Sequence, residues 1–328
     1  MNQHLMKKIV TIGGGTGTFV VLSGLKKLPN ASLSAIVSVL DDGGSTGRLR
    51  DAYGFLPHGD ARQALVALAS EKTALMRALF TYRFSKGDIA GHNFGNLFLT
   101  ALTDILGSDA KAIEEASTIL RVRGRVIPVS EKAGTLVATL ANGETVVGEH
   151  IIDERRAGDI PIVDISTAEP CDASPDALAA IKTADAIVLG PGDLYASTLA
   201  NFAIRGMREA VAASPAKLIY IVNLFTKAGE TDGYTARKHV EEIARLAGRG
   251  PDAVLINRGG FPEEVLAHYA EAGEFPVVDD LGDDPSVVRV PFAEVKVAEK
   301  VAGDAVARSL IRHDSGKIAE AIAAFLAP

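Results

Sequence analysis

The sequence predicts an α/β protein: a Rossmann-like, doubly wound, mainly parallel sheet with a helical insert and a β-hairpin insert. Three observations carry this. Short, nearly continuous β-branched runs recur along the chain, as strands buried on both faces do. Helical stretches separate these runs. Glycine-rich turns follow several of them, where open α/β sheets bind their ligands.

In chain order the strand candidates are Ile9–Ile12, Ala35–Leu40, Ala186–Leu189, Leu218–Asn223 and Ala253–Asn257. The clearest helices are Thr18–Leu28, Tyr195–Ala213, Thr231–Ala247 and Pro262–Ala272. Residues 59–121 read as almost pure helix. Residues 125–168 read as antiparallel strands, with Asn142-Gly143 between two alternating runs predicting a type I′ hairpin. Both stretches are read as decorations of one nucleotide-binding domain spanning 1–328.

Composition narrows the class. The chain has 328 residues, 47% hydrophobic and 23% charged, which is globular rather than disordered. With 34 basic against 41 acidic residues the formal charge is −7, so a nucleic-acid partner is not expected. No tryptophan and 5% aromatics argue against a base-stacking platform. The single cysteine, Cys171, excludes an internal disulfide framework and a multi-cysteine metal site, and its turn-like setting reads as structural. No apolar run approaches a membrane span and the start has no signal-peptide core, so the expectation is a soluble, cytoplasmic protein.

The loops carry the chemistry. The first run is followed by Gly13, Gly14, Gly15, Thr16, Gly17 and Thr18, then a helix. Glycines let a ligand approach the backbone, and the helix start offers free N–H groups to an anion. A tight turn needing glycine only for packing would look the same, yet four glycines in five residues favour the phosphate cradle. Thr18 stands where the dinucleotide fingerprint needs its last glycine, which argues against a nicotinamide oxidoreductase, and no P-loop Lys-Ser/Thr follows.

The second run ends in Asp41, Asp42, Gly43, Gly44, Ser45, Thr46, Gly47 and Arg48. A carboxylate here can hold a sugar hydroxyl, and Asp41 with Asp42 could share a Mg²⁺ with a diphosphate. Gly44 and Ser45 form a second anion cradle, with Arg48 and Arg50 as phosphate partners; a solvated turn is the plainer reading. Downstream, Asp60 reads as an N-cap and Arg62 points back toward the same pocket. In Gly91-His92-Asn93-Phe94-Gly95-Asn96, Asn93 and Asn96 either meet a base or sugar edge or cap a helix. Two further turns, Gly190-Pro191-Gly192-Asp193 and the one after Asn223, belong to the same sheet edge. Thr231 or Asp232 is expected to cap the helix that follows. Arg121, Arg123 and Arg125 read as a solvated face, and His150, His239 and His268 as surface residues.

Taken together, GGGTGT, LDDGGSTGRLR, PHGDARQAL, GHNFGNL, GPGDLYAS, Asn223 with GETD, and the terminal RHD resemble the 2-phospho-L-lactate transferase-like family. The resemblance runs from Ile9 to about residue 320 and is strongest with its bacterial gluconeogenesis-factor (YvcK-like) branch. It implies a nucleotide at the carboxyl edge of the sheet. The bacterial branch is associated with UDP-sugars such as UDP-N-acetylglucosamine, cell shape and peptidoglycan synthesis. The transferase branch moves a phospholactyl group from a guanosine-diphosphate-linked donor with Mg²⁺. By the same resemblance Tyr269 would meet a uracil and Arg312 a diphosphate, the plainer alternatives being a half-buried helix tyrosine and a surface helix arginine. Asp193 replaces the serine that branch carries after GPG, altering the charge of that loop.

The expectation is therefore a nucleotide-sugar-binding regulatory protein needing no cofactor, with cell-wall or regulatory protein partners, a homo-oligomer, and a mobile helical insert. The alternative is a Mg²⁺-dependent transferase using a nucleotide-diphosphate donor, with Asp41, Asp42 and His92 in catalytic roles.

Overall fold

The computed structural model describes residues 6–295 and 311–327. Strand β1 (Lys7–Gly13) leads into α1 (Gly15–Leu25) and β2 (Ala31–Val37). A long crossover of α2 (Gly44–Tyr53), α3 (Gly59–Leu68), α4 (Ala74–Thr81), α5 (Phe94–Leu106) and α6 (Asp109–Leu120) returns the chain to β3 (Arg125–Pro128). Next come β4 (Leu136–Leu140), β5 (Thr145–Val147), α7 (Glu149–Asp153) and β6 (Ile162–Thr167), followed by α8 (Pro175–Lys182) and β7 (Ala186–Leu189). The final part comprises α9 (Met207–Ala213), β8 (Lys217–Ile221), α10 (Ala236–Ala247), β9 (Ala253–Asn257), α11 (Glu263–Glu271), β10 (Val287–Val290), β11 (Ala293–Val295), β12 (Ile311–His313) and α12 (Ser315–Phe325).

Seven strands form one parallel sheet in the order β10-β9-β8-β7-β1-β2-β3. Its apolar runs are continuous because successive residues serve opposite faces. Val10, Ile12, Ile187 and Leu189 enter one core cluster, while Ile9, Ala186 and Val188 enter the other. The chain winds outward from β1 through β2 to β3, then restarts at β7 beside β1 and winds the other way. The reversal lies between β1 and β7, so the crevice opens beyond their carboxyl ends.

Four expectations change in detail. Arg125–Pro128 is not part of the antiparallel insert but the seventh strand of the main sheet, paired parallel to β2. Val126 and Ile127 enter different cores, and four residues are too short to show that as a period. The antiparallel insert is β5-β4-β6. Its hairpin is not a type I′ turn: Gly143 alone takes positive φ (+86°), and its N–H donates to the Leu140 carbonyl while Leu140 N–H donates to the Glu144 carbonyl. That makes a three-residue loop with glycine in the left-handed position. The helical stretch is interrupted by a small hairpin at 82–93, tied by Phe84 N–H to the His92 carbonyl and Phe94 N–H to the Tyr82 carbonyl. The expected Tyr195–Ala213 helix is a π turn (Leu194–Thr198), a 3-10 turn (Leu199–Ala203) and then α9, with Gly206 at φ +91° before it.

Three side-chain readings also change. His239 is fully buried on the inner face of α10, its Nδ1 2.9 Å from the Thr235 carbonyl. Arg123 is exposed yet not free: its guanidinium donates to the carbonyls of Lys26, Leu28 and Pro29. The cap of α10 is Thr235; Thr231 and Asp232 instead accept the N–H groups of Lys227 and Gly229 and shape the loop before it.

Candidate functional site

The loops after β1 and β7 lie back to back. A Cβ on Gly17 would stand 1.7 Å from the Pro191 carbonyl oxygen, so only glycine fits there. Gly13 packs on buried Thr18, whose Oγ1 a Cβ at Gly13 would meet at 2.7 Å. Gly190 adopts φ +70° and precedes the cis bond to Pro191. Together these residues shape the base of a cleft of about 520 Å³. Gly14, Gly15, Thr16, Gly17, Gly192, Asp193, Asn223, Lys227, Tyr269 and Arg312 line it. A larger groove, about 830 Å³, runs between α6 and the outer strand β3 and shares no lining residue with this cleft.

The N-cap of α1, Gly14, has no side chain to cap the helix; Asp60 takes the first N–H, that of Gly15, and Thr16 and Gly17 line the crevice beside it, where an anion would meet the helix start. Asn223 holds the opposite loop, donating Nδ2 to the Gly192 carbonyl at 2.8 Å, while its buried Oδ1 has no donor. At the far end Tyr269 stacks on Phe225, ring centroids 4.1 Å apart, so one face of its ring is already occupied. Arg312 is not on a surface helix: it lies in β12, half-buried, and its buried Nε has no partner.

The second set of expected residues sits elsewhere. Ser45 and His92 are joined, Oγ to Nδ1, at 3.1 Å, and Ser45 Oγ accepts the Asn93 N–H. Asn93 caps α5, accepting the Asn96 N–H. Asn96 donates to Thr46 Oγ1 and accepts from Arg62 Nε at 2.9 Å. These residues fasten α5 to α2 rather than lining the cleft. Gly44, at φ +48°, and Arg48 are exposed beside them.

A row of carboxyls joins the two sets. Asp60 does not cap α3; its Oδ1 accepts the Gly15 N–H at 2.8 Å, directly beneath the glycine loop. Burial, with the nearby Asp41 charge, pushes its pKa up to about 7. Burial also raises Asp41, whose Oδ1 accepts the Gly43 N–H. Asp42 accepts the His150 N–H at 2.8 Å. Glu149 is pushed up to about 10, first by burial and then by Asp41, Asp60, Asp153 and Asp42. Asp41 and Asp42 are thus engaged by different backbone groups. Glu149, Asp153, Lys227 and Glu230 were missed as site residues. Helix α7 is too short to announce itself, and only folding carries it from the β insert to the crevice.

An α/β protein of the doubly wound class, with an open crevice at its strand reversal, is what fold and cleft together define. Comparison with known proteins gives the family. The model of 2-phospho-L-lactate transferase CofD matches residues 9–297, and the chain belongs to that family. It is 42% identical to a Thermotoga maritima protein over 316 residues, covering 96% of this chain and 98% of that one. It is 39% identical to a Bacillus subtilis protein named "Gluconeogenesis factor", covering 95% of this chain and 96% of that one. A crystal structure of a UPF0052 family member from Bacillus halodurans superposes with a TM-score of 0.87 at 37% identity, covering 96% of this chain and 99% of that one. Among the described residues no helix is long and apolar enough to cross a membrane.

Proposed function

We propose that this chain binds a nucleotide-sugar, a UDP-sugar such as UDP-N-acetylglucosamine, in the crevice between the β1 and β7 loops. It acts as a regulatory protein of cell shape and wall synthesis on gluconeogenic carbon, in the cytoplasm and as a homo-oligomer. The observation that carries the reading is the pairing of unfilled partners across one cleft. The start of α1 beyond Gly15, whose N–H Asp60 already takes, suits a diphosphate, Arg312 supplies a cation with an unpartnered Nε, and Tyr269 offers an aromatic surface at the far end. The name of the Bacillus subtilis relative accords with it. A regulator must favour one conformation when loaded, and the helical insert 59–121, fastened to α2 by Asn96 and Ser45, is the element we assign to that shift.

The second reading is a transferase taking a nucleotide-diphosphate donor with Mg²⁺, favoured by the carboxyls Asp41, Asp42, Asp60 and Glu149 next to the glycine loop. A cation there would neutralise charge developing on the diphosphate, and His92 is the acid or base within reach of Ser45.

Calorimetric titration with UDP-N-acetylglucosamine and with GDP, each with and without Mg²⁺, tests both while released nucleotide is assayed. Tight UDP-sugar binding with intact ligand recovered supports the regulator. Preference for GDP, or Mg²⁺-dependent cleavage of the donor, supports the transferase.

A further inference from the structure

A second group of carboxyls, separate from Asp41 and Asp42, lies at the other side of the cleft. Asp153 comes from α7 of the β insert, Asp193 from the β7 loop and Glu230 from the loop after β8. One oxygen of each lies within 4.8 Å of the other two. Oxygens bound to one Ca²⁺ stand up to about 4.8 Å apart across the ion and those on Mg²⁺ up to about 4.2 Å, so the three lie close enough to share one centre after a small side-chain adjustment.

Carboxyls in proximity are not a site by themselves, but two atoms here lack partners. Glu230 is 3% exposed. Its Oε2 accepts the N–H groups of Tyr195, at 2.8 Å, and Ala196, while its Oε1 is buried with no donor. Asn223, tied to the residue before Asp193, likewise has a buried Oδ1 with no donor. Both orphans are acceptors, so what is missing is a cation or a donor. Lys227 supplies one positive charge, its Nζ 3.2 Å from Asp153 Oδ1. It faces Asp153, Asp193, Glu230 and the nearby Glu274.

We propose that Asp153, Asp193 and Glu230 bind a hard divalent cation, Mg²⁺ or Mn²⁺, through an all-oxygen set. An oxygen-only set selects such ions over softer metals. Because Asp153 belongs to the β insert and the other two to the main sheet, the ion clips the insert to the crevice. The site stands whether or not the cleft takes a nucleotide-sugar.

The test is Mn²⁺ titration of the intact protein without nucleotide, read by electron paramagnetic resonance and calorimetry. One ion per chain is expected. Asp193→Asn, close to isosteric, should weaken binding at least tenfold, and Asp176→Asn, at an exposed ion pair, should not. Lys227→Met should tighten Mn²⁺ binding, an effect that misfolding cannot imitate. No stoichiometric Mn²⁺, or a site that Asp193→Asn and Asp153→Asn both leave intact, overturns the proposal. So does Mn²⁺ affinity lowered by Lys227→Met. UDP-sugar binding is measured separately, so its failure leaves these outcomes readable.

Discussion

The turn after β1 and the turn after β2 look alike as sequence, GGGTGT and DDGGSTGR, yet the molecule uses them differently. The first stays open to the cleft: Gly14, Gly15 and Gly17 line it, and a single side chain, Asp60, engages its backbone at the Gly15 N–H. The second is closed from within. Ser45 and Thr46 are buried against Asn93 and Asn96, and Asp41 and Asp42 accept backbone N–H groups. Glycine and small polar residues suit a ligand cradle and an internal hydrogen-bond hub equally well. What differs is how far another element satisfies the polar groups: α5 closes the second turn with several side chains, while the first receives Asp60 of α3 at the Gly15 N–H and still lines the cleft.

Substitutions can break this contrast, and the largest effect is expected at the glycines. Gly17→Val drives a Cβ onto the Pro191 carbonyl, a backbone atom that cannot swing away. We expect a loss of about 3 kcal/mol or more in urea unfolding. Gly44→Ala meets no atom within 4 Å and carries only the penalty of φ +48°, about 1–2 kcal/mol. Equal losses would show that the two turns are equally packed.

Next comes Asn96→Leu. It removes the acceptor of Arg62 Nε and the donor to Thr46, and Arg62 is a deeply buried charge. Stability should fall by about 2–4 kcal/mol by denaturant titration, because a buried charge is left short of partners. UDP-sugar affinity in the folded fraction should change little. Arg312→Ala should do the reverse. Its affinity loss is expected to be about tenfold or more by calorimetry, with a small change in melting temperature, since one charge-assisted contact is worth about 1.5–3 kcal/mol.

A further contrast concerns pH. Folding raises the pKa of Asp60 from 3.8 to about 7, so between these values the folded state holds a proton that the unfolded state has released. Stability from this group is therefore full below pH 3.8 and declines as pH rises toward 7. Asp60→Asn keeps an acceptor for the Gly15 N–H but cannot ionise. Its melting temperature should fall less steeply than the wild type across that range. Parallel curves would mean that Asp60 shares its charge with solvent.

Much of the fold is legible in the sequence, for reasons visible in particular residues. Ala186–Leu189 and Ala253–Asn257 are strands with the expected bounds, because each is buried on both faces and bounded by turn residues. Asn93 is a genuine cap because capping is local chemistry. The half of the candidate site made of Gly14–Gly17, Gly192, Asn223, Tyr269 and Arg312 gathers in one cleft, since all follow carboxyl ends of the sheet or pack beside them. The other half was read for ligand contact, although its Asn and Ser side chains find partners within the chain.

By itself the sequence determined the alternation of strands and helices, the parallel sheet and the glycine turns, because burial period, propensity and turn chemistry act over a few neighbouring residues. Tertiary structure alone decided that Arg125–Pro128 joins the main sheet. It also decided that Asp60 supports the Gly15 N–H, and that Asp153, Asp193 and Glu230 meet. Those contacts join residues dozens of positions apart, and no local pattern encodes which distant carboxyls will share one crevice.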